Sequence, residues 1–186
     1  DLYVRFKDPK FEYGVALAKT GGRITMRLAN ADVLPFDFKG FYKTVNGYMN
    51  EVMALLESTR ETTEVENQMI TSNVYKVATD PNEKYIAPAK KDAVPYLNFA
   101  SLQNALSQLE KAATQYADLA AANPNPNTNK VNLNKLLYQA EQKLMIEAGL
   151  PSRPWFKHSI YAPGLYTGYG VKTLHGIREA IEQRDW

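Results

Sequence analysis

The sequence predicts an all-α chain, a bundle of about four to five helices that carries one long loop rich in aromatics, proline and glycine. Three observations predict it. Apolar residues recur at spacings of three and four over five separate stretches. Helix start and stop residues bracket those stretches. Residues 149–176 hold three prolines, five glycines, both histidines, Trp155 and three tyrosines, in a connection longer than helix–helix turns usually are. Disordered segments are poor in aromatics, so this loop should be shaped.

The first helix should follow Asp8-Pro9, an N-cap residue with a proline in the first turn. It carries Phe11, Val15, Ala18, Ile24, Leu28 and Ala31, and ends at Leu34-Pro35-Phe36. Gly21-Gly22 in its middle costs about 1 kcal/mol per glycine against alanine, which a kink or a close helix approach would explain. Asp37 can cap the second helix, with Phe41, Val45, Tyr48, Val52 and Leu55 or Leu56 on one face. The third runs from Ser101 to about Ala122, striped by Leu102, Leu106, Leu109, Ala113, Tyr116 and Ala120, and Asn-Pro-Asn-Pro-Asn at 123–127 stops it. Leu133, Leu136, Leu137, Ala140 and Leu144 mark the fourth, closed by Gly149. Thr173 can cap a fifth with Leu174, Ile177 and Ile181, running to the end. Each stripe should bury one face against a neighbour.

Residues 59–98 break the pattern and read as a surface insertion between two helices. Within them Val74–Thr79 and Lys84–Ile86 flank a turn at Asp80-Pro81-Asn82-Glu83, which would allow a small hairpin.

At 186 residues the chain fits one domain. A formal net charge of +2 gives no basic field for nucleic acid. No apolar run reaches membrane-spanning length, so no membrane contact is expected from this segment, and no signal-peptide pattern opens it. The absence of cysteine excludes disulfides, zinc thiolates and cysteine nucleophiles. Only His158 and His175 exist, without His-x-x-x-His or Glu-x-x-His spacing, so no metal site is expected. Gly164, Gly168 and Gly170 miss the phosphate-binding G-x-G-x-x-G order, and no serine has a G-x-S-x-G context. Glu179 and Glu182 read as a solvated helix face, His158 as a hydrogen-bonded structural histidine and His175 as a surface residue. Arg153, flanked by Pro151 and Pro154, is placed to anchor the loop through a carboxylate. By itself the chain is not expected to be an enzyme.

The runs RFKDPKFEYGVALAKTGGRITMRLANADVLPFDF (5–38) and GLPSRPWFKHSIYAPGLYTGYGVKTLHGI (149–177) resemble the C-terminal dimerisation domain of the glutamate carboxypeptidase and transferrin receptor family. LANADVLPFD and LPSRPWFKHSIYAP are the most specific words. The resemblance covers residues 1 to about 57 and about 99 to 186, with 59–98 as a lineage-specific insertion. It implies one helical domain over 1–186, with the family's further C-terminal helix missing after Trp186. An apolar stripe left uncovered there would favour self-association or an open groove.

The resemblance also implies a parent zinc exopeptidase, carboxypeptidase or aminopeptidase. In such a parent this domain forms a homodimer, contacts the peptidase domain and supplies one wall of the pocket for a peptide substrate. Zinc would belong to that peptidase domain and no cofactor to this chain. The alternative is the same domain in an inactive receptor or trafficking adaptor of the transferrin receptor type. Either parent implies the extracellular, lumenal or vacuolar side of a membrane. Glutamate-selecting relatives present a Lys-Tyr pair to the substrate carboxylate, and the corresponding pair here is Gly168-Tyr169. Tyr169 keeps a phenol able to donate a hydrogen bond, but the cation that would favour glutamate is gone, so a more permissive aminopeptidase-like or carboxypeptidase-like parent is an equal alternative to a glutamate-selecting one. Tyr166 and Leu165 could line the same pocket, each with a plainer reading as a loop-packing side chain, and Lys172 could reach back, at a spacing that differs from the family pattern.

Overall fold

The computed structural model describes residues 2–123 and 129–186. Helices dominate: α1 Leu2–Phe6, α2 Glu12–Ala29, α3 Phe38–Thr71, α4 Val74–Val77, α5 Ala100–Ala122, α6 Lys130–Gln139 and α7 His175–Gln183. One antiparallel hairpin joins β1 Tyr161–Pro163 to β2 Val171–Thr173. The chain divides into two compact units, one up to Asp37 together with Ala117–Ala140, the other Phe38–Tyr116 together with Glu141–Trp186.

In the first unit Asp8 caps α2 from a distance. Its buried carboxylate accepts the Gly14 N–H at 3.0 Å, while the N-cap position itself is Phe11 in a left-handed conformation without a side-chain cap. The helix passes Gly21-Gly22 unbroken, with nothing within 4 Å of a Cβ at either position, so no close approach accounts for the pair. No residue of α2 is buried. The expected burial of its stripe therefore does not occur, and Tyr13, Leu17, Ile24 and Leu28 stand exposed at spacings of four, seven and four. Elsewhere in this unit, Asn134 of α6 accepts the Leu34 N–H at 2.9 Å and donates to the Asp32 carbonyl at 3.0 Å. Lys130 pairs with the Asp32 carboxylate at 2.9 Å. The α5 helix ends at Ala122 as expected, and the Asn-Pro run beyond Asn123 lies outside the described residues.

The second unit holds the main core. Val45, Met49, Val52 and Leu56 of α3 recur at four, three and four, and pack with Leu106 of α5, Val94, Ile160, Leu174 and Ile181 of α7. Phe38 and Tyr116 meet edge to face, with centroids 5.1 Å apart.

Residues 59–71 correct the expected break: α3 continues to Thr71. In its polar tail the hydroxyls of Thr59, Thr63 and Thr71 each donate to the carbonyl four residues back, at 2.7 Å, which satisfies them without breaking the helix. No hairpin forms at 74–86. Val74–Val77 is a helical turn, and residues 80–99 carry neither helix nor strand. The Asp80–Glu83 turn does form, closed by Glu83 N–H to Asp80 O at 3.0 Å and by Asn82 N–H to Asp80 Oδ1 at 2.8 Å. Residues 91–95 are strapped to α3: Asn67 donates to the Lys91 carbonyl and accepts the Lys91 N–H, and Arg60 donates to the Pro95 carbonyl. Arg184, just past α7, donates to Thr63 Oγ1 at 2.9 Å and to the Asp92 carbonyl.

The fourth helix is also shorter than its stripe suggested. It stops at Gln139, and after a 3-10 turn at Glu141–Leu144 the chain pairs with 156–159 instead. Ile146 N–H donates to Lys157 O, Leu150 N–H to Phe156 O and Ser159 N–H to Leu144 O. Gly149 is not a helix cap. It sits at φ +67° in this folded-back loop, where a Cβ would stand 2.1 Å from the Pro154 carbonyl oxygen.

Candidate functional site

The loop singled out by its composition is built around the hairpin. Tyr161 pairs with Thr173, Ala162 with Lys172 and Pro163 with Val171, and the Gly164 N–H donates to Gly170 O at 3.1 Å to close the ladder. The tip then turns over Thr167–Gly170. Gly170 N–H donates to Thr167 O at 3.0 Å, and Thr167 Oγ1 donates to Gly170 O at 2.9 Å. Gly168 has φ +59° and Tyr169 is not among the positive-φ residues, the pattern of a type II′ turn that wants glycine first. At Gly164 a Cβ would fall 2.3 Å from Thr167 Oγ1, so the tip closes tightly only without a side chain there.

Leu165, Tyr166, Gly168 and Tyr169 thus share one tip. Tyr166 is 87% exposed and Tyr169 fully so, while Leu165 is half-buried. Lys172 does not join them. Its ammonium is engaged by Glu182 of α7, because its place on β2 brings it beside that helix.

What fixes the tip was not expected from sequence. Glu179, read as solvated, is 9% exposed. Its Oε1 accepts the Leu165 N–H at 2.9 Å, and its Oε2 accepts from Arg153 Nη2 at 2.7 Å. Arg153 therefore finds its carboxylate 26 residues away, on α7. Burial pushes the Glu179 pKa up, but the Leu165 amide, the Arg153 hydrogen bond and the charges of Arg153 and Lys172 outweigh it and hold the carboxyl below 4.5. No sequence signal marked this partner: Glu179 lies four residues after His175 and shares its helix face, but that histidine itself read as a surface residue.

His175 is likewise not a surface residue. It is 1% exposed, because α7 starts only after β2 has brought the chain into the core, with Leu174 in a left-handed conformation at the N-cap. Thr173, the expected cap, is the last residue of β2. Burial lowers the His175 pKa below 6.5; the Arg153 charge adds to this, while the His158 backbone and Glu179 oppose it. His158 is the hydrogen-bonded structural residue expected. Its Nδ1 accepts the Ile160 N–H at 3.2 Å, its ring stacks on Tyr161 at 4.2 Å, and its Nε2 lies 3.5 Å from Glu141 Oε1. Tyr161 donates to the same Glu141 oxygen at 2.6 Å, which raises its pKa above 10.

Among the described residues no group of three or more His, Asp or Glu could hold a metal, and the sequence has no cysteine. Among the same residues no helix is long and apolar enough to cross a membrane.

Residues 97–186 match the family model of the transferrin receptor-like dimerisation domain. The chain is similar to "Probable glutamate carboxypeptidase LAMP1" of Arabidopsis thaliana, 27% identical over 178 residues, covering 96% of this chain and 21% of that protein. A "Probable glutamate carboxypeptidase" of Arthroderma benhamiae is 25% identical, covering 95% and 20%. "Probable glutamate carboxypeptidase VP8" of Zea mays is 26% identical over the same two shares. The chain spans about a fifth of the length of these relatives, and the likeness extends ahead of residue 97. The chain is mostly helical with a hairpin inside the matched region, and its residues 97–186 resemble the transferrin receptor-like dimerisation domain of glutamate carboxypeptidase-like proteins.

Proposed function

We propose that this chain is the non-catalytic dimerisation domain of a glutamate carboxypeptidase-like zinc exopeptidase and supplies one wall of that enzyme's peptide pocket. The observation that carries the pocket role is the hairpin tip. Two tyrosines, Tyr166 and Tyr169, stand out from a turn whose stem is pinned on both strands. An exposed phenol on a held turn can donate a hydrogen bond to a substrate carboxylate without first being ordered. With glycine at 168 and Lys172 engaged by Glu182, the tip offers no free cation, so this wall does not select glutamate over other C-terminal residues. Zinc and the hydrolytic step belong to the peptidase domain of the parent. On this reading the domain works on the extracellular, lumenal or vacuolar side of a membrane that another part of the parent meets.

The test is Tyr169→Phe in the full-length parent. Loss of one hydrogen bond should raise KM for peptide substrates about three- to tenfold and leave kcat within about twofold. Unchanged kinetics across a panel of C-terminal residues would remove the tip from the substrate pocket.

A further inference from the structure

We propose that Glu179 is the positioning residue of the hairpin tip: its buried carboxylate, shared between the Leu165 amide and the Arg153 guanidinium, sets where Tyr166 and Tyr169 stand. This deepens the pocket-wall reading and rests on it. The hairpin ladder ends at Gly164, and the 167–170 turn is closed upon itself. Between them Leu165, next to Tyr166, gives its N–H to Glu179 Oε1. That bond ties the tip to α7, a rigid element of the core, since Ile181 on the same helix is 1% exposed.

The division of oxygens matters. A buried carboxylate left with one partner would be costly, and here each oxygen has its own, the Leu165 amide on Oε1 and Arg153 on Oε2. Arg153 itself is 4% exposed in the 150–156 loop, which couples that loop to the tip through one side chain. One turn further along α7, Glu182 holds Lys172 of β2 in a more exposed pair. Two carboxylates on one helix therefore clamp the stem and the shoulder of the hairpin, and the buried one is nearest the tyrosines in sequence. A buried ion pair adds little net stability compared with apolar packing, so its contribution here is to geometry.

The experiment compares Glu179→Ala and Glu179→Gln with the unaltered full-length parent, by hydrogen exchange and by steady-state peptide hydrolysis. Glu179→Ala should speed exchange across 164–170 about tenfold more than across 45–56 and raise KM by a similar factor, with kcat held. Glu179→Gln keeps an acceptor for Leu165 and should fall between; it carries the test if the alanine variant does not fold. Three outcomes overturn the proposal: exchange at 164–170 unchanged, exchange rising equally at 45–56, or a loosened tip with KM unaltered while Tyr169→Phe still raises it. If Tyr169→Phe also leaves KM unaltered, the pocket reading fails, and selective loosening of 164–170 still establishes the clamp.

Discussion

Two buried ionisable side chains on α7, His175 and Glu179, make this fold acid-sensitive, with one onset at pH 6.5 and a second at pH 4.5. The folded-state pKa of His175 is below 6.5, so the unfolded chain takes up that proton first, and stability declines as pH falls from 6.5 toward the folded value. Glu179 is held below 4.5, so its contribution is complete above 4.5 and is lost as pH falls through its folded value. Urea midpoints measured from about pH 8 to about pH 3 should fall in two steps. His175→Gln should flatten the upper step and Glu179→Gln the lower. Gly149→Ala should cost more than about 2 kcal/mol at every pH, because the left-handed φ and the Pro154 carbonyl both oppose a Cβ. At this scale the sequence gives residue types but seldom partners. Arg153 could be read as needing a carboxylate, yet Glu179 lay among charges on a helix, and their pairing across 26 residues is a tertiary fact.

Among the elements, α3 shows what periodicity can and cannot reveal. Its seam from Val45 to Leu56 is legible because apolar residues mark it, and Met49→Ala there should cost about 2–5 kcal/mol, whereas Val77→Ala at 85% exposure should change stability by less than about 0.5 kcal/mol. Denaturant midpoints of the two variants check the contrast. Beyond Leu56 the helix continues for fifteen residues with Thr63 as its one buried side chain, so no apolar stripe announces it. Polar contacts from Arg60 and Asn67 to residues 91–95, and from Arg184 to Thr63, take the place of that stripe. The hairpin was misplaced for a related reason. Turn chemistry at Asp80–Glu83 is strong but lacks strands with a core to cover, whereas 161–173 has the buried Ala162 to seat it.

For the whole molecule, the unfilled requirement is the face of α2. Tyr13, Leu17, Ile24 and Leu28 form one exposed apolar line, a pattern that in water favours association, consistent with a dimerisation domain. Sedimentation equilibrium of this chain should show mass rising with concentration, and Leu17→Glu with Ile24→Glu should abolish the rise without loss of helical signal. A fixed monomer mass in the unaltered chain up to about millimolar concentration would contradict it. The all-helical class was legible from five stripes; which stripe finds a cover was not, since a stripe records only that burial is needed. The grip of Asn67 on residue 91 has a different consequence. Its amide addresses the main chain at both N–H and C=O, as a neighbouring strand would, and is indifferent to which side chain stands there. The stretch from 78 to 90 can thus accept changes of composition and length while its exit point at residue 91 stays anchored.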